Sequence, residues 1–245
     1  MSESFPFPSR ALWALLLLHL LAWLPGGWYL WQAGYEGSFL SLNALRTPWL
    51  DALMPHLTHL GDGLLAGSVV ALLLVRQQPA RLLTILLAML SIGVLVWLGK
   101  FVLFRDWHRP IIVFLHRQEF AYNALTQLFH HTFPSGHSAA AAGAATLLAA
   151  GRRQIGTGLL LGALALLAAY TRLYIGVHFL GDILAGSLLG VGVATAFSGV
   201  VHPRLQRWWT GWPDFTQSRA QRGLGLLALV LLIVSLLHLY WQYYR

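Results

Sequence analysis

The sequence predicts an all-α polytopic membrane protein. Three observations carry that prediction: charge is scarce, the apolar runs are long, and tryptophan gathers near their ends. Only 10% of the 245 residues are charged against 57% hydrophobic, with a mean hydropathy of +0.63. A soluble domain carries about 25% charged residues. Crossing a hydrocarbon core takes roughly 20 mostly apolar residues, and backbone groups in lipid must satisfy one another within the segment, so runs of that length are helices. Many of the 11 Trp fall near the ends of such runs, at the depth where amphipathic rings favour the headgroups.

Seven candidate spans follow in order. The first is about 11–31, with Pro25, Gly26 and Gly27 as a kink, and the run after Arg10 is too long for a signal-peptide core. The second is about 56–75 and the third about 82–104. The fourth opens at Pro134-Ser135-Gly136 and runs to about 150. The fifth is about 155–174, the sixth about 179–201 and the seventh about 224–243. Spans four to six are rich in Gly and Ala, and Gly186 and Gly190 lie four apart on one helical face, a spacing that lets backbones approach closely. Residues 1–245 form one integral-membrane domain, a six-helix core (about 11–201) with an additional C-terminal transmembrane helix (about 223–243).

The formal charge of +8 does not require nucleic acid as a partner, because its carriers sit in short loops. Arg10, the pair Arg76 and Arg81, the pair Arg152 and Arg153, and Arg204, Arg207, Arg219 and Arg222 all fall on one side of a seven-span zigzag. The positive-inside rule makes that side, and the N-terminus with it, cytoplasmic. Cysteine is absent, which excludes disulfides, zinc–thiolate sites and cysteine nucleophiles.

Three segments map to the opposite, outer side: Lys100 with Arg109-Pro110, then Pro134-Ser135-Gly136-His137, then Arg172, His178 and Asp182. Each alone has an ordinary explanation. Pro-Ser-Gly-His also suits a turn that opens a helix. Arg172 could snorkel at a helix end, His178 and Asp182 could be a satisfied i, i+4 pair, and Lys100 and Arg109 could be interfacial anchors. Their convergence at one membrane depth favours function, since ionisable groups in membrane segments are functional suspects by default.

The residue types suit phosphoryl chemistry. A phosphoryl group in transfer spreads negative charge over its equatorial oxygens. Lys100, Arg109 and Arg172 would neutralise that charge, Arg by a planar fork and Lys as a point charge. The helix start offers the backbone N–H groups of Ser135, Gly136 and His137 to an anion, and the Ser135 hydroxyl adds a donor. Asp182, one turn from His178, would accept one imidazole N–H and leave the other nitrogen free as nucleophile. His137 is then the natural general acid. No metal or other cofactor is needed.

Pro134-Ser135-Gly136-His137, followed by Arg172, His178 and Asp182 at this separation, closely resembles the second and third motifs of the type-2 phosphatidic acid phosphatase superfamily. That family includes undecaprenyl-pyrophosphate, phosphatidylglycerophosphate and lipid A phosphatases and vanadium haloperoxidases. The resemblance spans roughly residues 56–200. It implies a transiently phosphorylated His178 oriented by Asp182, protonation of the leaving group by His137, and phosphate held by Lys100, Arg109, Ser135, Gly136 and Arg172. The implied partners are a lipid phosphate substrate and the bilayer. The implied location is a bacterial inner membrane with the active site on the periplasmic or extracellular side. One departure stands out. The family's first motif usually sets its Lys two residues closer to Arg-Pro, which would place the apolar Val102 there. Either the helix end is rearranged or Arg105 takes part.

Asp62, between Gly61 and Gly63, is either a helix cap or a substrate contact, with the cap favoured. His130 and His131 either line the entrance or are plain loop residues. Residues 105–133 mix Arg105, Arg117 and Glu119 with Trp107, Phe114, Phe120, Tyr122 and Phe129, a composition suited to an interfacial loop over the site. Two rival activities share these features: a lipid phosphotransferase using the same site, and a transporter or flippase. The second is disfavoured because transporters bind substrate near mid-bilayer, where these spans carry almost no charge.

Overall fold

The computed structural model describes residues 7–76, 78–114, 121–122 and 130–244. Every regular element among them is helical: α1 (Arg10–Asn43), α2 (Pro48–Leu57), a 3-10 turn (Thr58–Gly61), α3 (Gly63–Leu74), α4 (Pro79–Leu98) and a π turn (Gly99–Leu103). After these come α5 (Pro110–Val113), α6 (Gly136–Ala149), α7 (Ile155–Tyr174) and α8 (Leu180–Ala196). A second π turn (Phe197–Val201), α9 (His202–Thr210) and α10 (Asp214–Tyr244) complete the chain. The all-α membrane architecture is as the composition predicts. Among the described residues five helices are long and apolar enough to cross a membrane, and α2 and α3, bent by 59° at their junction, are so when taken together.

Two expectations change in detail. The first span does not end near residue 31 but continues to Asn43. Its break falls at Gly34 (φ 73°) and not at Pro25, because Gly34 adopts a conformation that only glycine holds without cost. The second span is broken, not continuous. Asp62 stands at the break with extended backbone, and its side chain accepts from the N–H groups of Leu64 (2.9 Å) and Leu65 (3.2 Å). It therefore caps α3, as the favoured reading held. The fourth span is as expected: α6 is capped by Ser135, runs from Gly136 to Ala149 and packs against α4, α7 and α8.

Small residues seat α6. A Cβ on Gly186 would collide with the backbone of Ser135, and one on Gly190 with the backbone of Ala139 and Gly143. The two glycines thus let α8 lie against α6 at backbone contact. At the far end, Arg81 is more than topological charge. It is buried, and its Nη2 donates to the carbonyls of Leu147 (3.1 Å), Leu148 (2.7 Å) and Ala150 (2.9 Å). These are carbonyls that a helix C-terminus leaves without intrahelical partners. Ser9 adds a bond to the Ala149 carbonyl (3.0 Å) and Ala11 N–H one to Arg152 (3.2 Å). The basic loops therefore gather at the end where α1 begins and α6 ends. The additional helix α10 packs along α3.

Candidate active site

The opposite end brings together the C-terminal ends of α4 and α7 and the N-terminal ends of α6 and α8. The link from α7 to α8 folds around one carbonyl: Val177 N–H and His178 N–H both donate to Arg172 O (3.0 and 3.2 Å). The end of α7 is closed from α1 and the segment after it. Asn43 Nδ2 donates to Leu173 O (3.0 Å) and Tyr174 O (2.9 Å), and Arg46 Nη1 to Tyr174 O (2.9 Å). Arg46 is itself ion-paired with Asp51 at 2.6 Å. This network holds Arg172 and His178 in fixed relation.

His178 is buried, and its Nδ1 lies 3.1 Å from Asp182 Oδ2 and 3.2 Å from Thr132 Oγ1. The Thr132 hydroxyl in turn donates to Asp182 Oδ2. With acceptors on both sides, Nδ1 carries the proton, so Nε2 presents its lone pair. Nε2 accepts from Arg109 Nη1 at 3.4 Å, a bond that an incoming phosphate oxygen would replace as partner of Arg109. Arg109 is also held by the carbonyls of His130 (Nε, 2.8 Å) and Val177 (Nη1, 3.0 Å). Burial, and after it the neighbouring cations Arg109, Lys100 and Arg172, hold His178 well below the ordinary imidazole value. It is a neutral base in a cationic pocket.

Arg172, in the last turn of α7, is buried and gives Nη1 to Thr58 Oγ1 at 2.6 Å. Its buried Nε–H has no acceptor among the described residues. Lys100 donates to the carbonyl of His131 at 2.7 Å, where His131 has a left-handed backbone (φ 58°). Lys100 sits in the π turn at Gly99–Leu103, so the end of α4 is rearranged and Lys100 comes to the site. A π turn takes up about one residue more than an α turn, which covers part of the two-residue excess. Arg105 does not: its side chain is 71% exposed beside Asp106.

At α6, Ser135 is the N-cap, fully buried, accepting from Ser138 N–H (3.4 Å) and Ser138 Oγ (2.9 Å). Its own N–H does not face the anion site as expected. It donates to the Asp182 carbonyl at 3.0 Å, because the backbone contact at Gly186 brings the start of α8 that close. His137 is the second residue of α6, pressed by the 3-10 turn: a Cβ on Gly61 would lie 3.0 Å from the His137 Cβ.

His130 pairs with His108 through their Nδ1 atoms (3.2 Å), and both are exposed. Arg117, Glu119, Phe120 and Phe129, part of the expected interfacial loop, lie outside the described residues. Thr132, Thr58 and Tyr35, whose hydroxyl donates to Asp182 Oδ1, were not legible in the sequence. Thr132 has only its position two residues before Pro134 to mark it, and Tyr35 stands 147 residues from its partner. Among the described residues no three His, Cys, Asp or Glu side chains gather to hold a metal.

A neutral histidine braced by a carboxylate and surrounded by fixed cations, at one end of membrane-spanning helices, places the chain among integral-membrane phosphatases. It belongs to the PAP2 superfamily, whose family model matches residues 81–206. The fold is similar to the crystal structure of LpxE from Aquifex aeolicus (28% identity, TM-score 0.60, 66% of this chain and 93% of that one). It is also similar to a transmembrane PAP2-type phosphatidylglycerolphosphate phosphatase from Bacillus subtilis (24% identity, TM-score 0.53, 78% and 97% covered), which supports the fold alone. No curated protein matches the chain.

Proposed function

We propose that the chain hydrolyses a lipid phosphate or lipid pyrophosphate without a metal ion, through a phosphohistidine on His178, at the outer face of a bacterial inner membrane. The observation that carries this reading is the pairing of two groups: His178 Nε2, presenting its lone pair, and the buried Nε–H of Arg172, which has no acceptor among the described residues. A phosphoryl group beside Nε2 would supply that acceptor. Nε2 attacks phosphorus, the bond from phosphorus to the lipid oxygen breaks, and His137 gives that oxygen a proton. Water then attacks the phosphohistidine, His137 takes its proton, and phosphate leaves with Nε2 restored. Lys100, Arg109 and Arg172 balance the equatorial charge, while Asp182 keeps the Nδ1 proton throughout.

An apolar cavity of about 270 Å³ opens beside the first residue of α6, lined by Leu64, Met89, Ile92, Val96, Gly136 and Ala140. Its position suits the first part of a lipid chain. Undecaprenyl pyrophosphate, phosphatidylglycerophosphate and lipid A are the substrates to compare. The outer location rests on the basic loops at the opposite end.

Phosphate release by the detergent-purified protein, measured on those three lipids with excess chelator, tests the reading. Release within about twofold of the chelator-free rate is expected from at least one lipid. Loss of release on chelation, restored by magnesium, would refute the metal-free mechanism.

The acid limb of the pH profile tests the state of His178. Only the neutral imidazole attacks, and the pocket lowers its proton affinity. Activity is therefore kept as pH falls through the usual histidine value of about 6.5 and lost only below it. A limb in kcat/KM at or above pH ~6.5 would contradict this assignment.

A further inference from the structure

Resting on the reading of His178 as nucleophile, we infer that Tyr35 is a positioning residue for the reaction, delivered into the site by the break in α1 to hold the far oxygen of Asp182. The family model begins at residue 81, so this contribution comes from outside the matched region.

Asp182 is fully buried, and a buried carboxylate is costly unless its oxygens receive hydrogen bonds. Its Oδ2 is crowded: His178 Nδ1 (3.1 Å), Phe179 N–H (2.9 Å) and the Thr132 hydroxyl all converge there. Its Oδ1 receives one described donor, the Tyr35 hydroxyl. A carboxylate pinned at one oxygen can still swing about its Cβ–Cγ bond, and Tyr35 removes that freedom. The plane that presents Oδ2 to His178 is thereby fixed, and with it the direction of Nε2.

Two glycines make the contact. Gly34 (φ 73°, ψ 178°) takes a conformation that is essentially confined to glycine and turns the second part of α1 over the site. On the other side, a Cβ on Gly181 would collide with the Tyr35 ring, including Cζ (3.0 Å) and the hydroxyl (3.1 Å). The absence of a side chain beside Asp182 is what admits the ring. Trp107 and Phe179 clasp it at centroid distances of 5.6 and 4.8 Å. Packing alone would be served by phenylalanine, and the hydroxyl adds only the bond to Asp182.

Tyr35→Phe keeps the ring and its packing. It is expected to lower kcat about tenfold, the usual worth of a hydrogen bond to a charged group, with KM changed less than twofold. The acid limb should also move to higher pH. With one donor fewer, the carboxylate draws the His178 proton more strongly, while Arg109, Lys100, Arg172 and His137 oppose that proton as before. Gly181→Ala, which crowds the ring but keeps the hydroxyl, should show the same fall in kcat. Native kcat and an unmoved limb in Tyr35→Phe, with His178→Ala inactive, would overturn the inference while sparing the nucleophile. A fall in kcat that merely tracks lost folded protein, with the limb unmoved, would also overturn it. Activity retained by His178→Ala would overturn both.

Discussion

His178→Ala is expected to lower lipid-phosphate hydrolysis by at least about 10,000-fold, the scale on which removing a nucleophile acts. The loss should appear in kcat, because the three cations that hold the phosphate remain. The fold should survive. His178 is neutral in its pocket, so its removal leaves no buried charge of its own. Asp182 keeps Thr132, the Phe179 N–H and Tyr35 as donors. The variant should therefore bind vanadate or inorganic phosphate while turning nothing over. A variant that hydrolyses lipid at even a tenth of the native rate would mean that His178 supports the site without attacking phosphorus.

Arg172→Lys is expected to lower kcat/KM by about 100- to 1,000-fold, although it keeps the charge. Arg172 gives one nitrogen to Thr58 at 2.6 Å and has its Nε–H free of any described acceptor. A guanidinium can hold Thr58 and a phosphate oxygen together, each in its own direction. An ammonium at the end of a flexible stem cannot reproduce both. One charge-assisted bond aimed at developing negative charge contributes about 2.7–4 kcal/mol to a transition state. Inhibition by vanadate should weaken with the rate, because it occupies the same oxygen positions. If kcat/KM falls less than fivefold, Arg172 supplies charge alone, and the planar fork has no part in the reaction.

The parts of the fold that could be read directly are those that local chemistry decides. Lipid forbids unpaired backbone, so apolar length alone implied helices, and α7 occupies the residues expected for the fifth span (Ile155–Tyr174). The family followed from two motifs whose residues are close in sequence. Lys100, Arg109, Arg172, His178 and Asp182 all come to one end of the bundle because each lies at or near a helix end that zigzag order places there. The illegible parts depend on contacts between distant segments. Nothing near Gly34 signals that a turn there carries Tyr35 to Asp182. Asp62 was readable as a cap, yet the 59° bend around it depends on how α2 and α3 pack elsewhere. The usual chemistry of helix starts gives the Ser135 N–H to an anion. That expectation failed because Gly186, some fifty residues on in sequence, lets the Asp182 carbonyl arrive first. The longer spacing from Lys100 to Arg109 is visible as an anomaly, but the π turn that carries Lys100 is not.

The central claim is that phosphate passes through His178 Nε2. Its most direct test is to quench the chelator-treated protein with alkali in its first turnover of a lipid labelled in the scissile phosphate. The account predicts a label on His178 that survives alkali, is lost in acid, and is absent from His178→Ala. Full hydrolysis of the lipid with no label on the protein in a single turnover, or label on another residue, would contradict it.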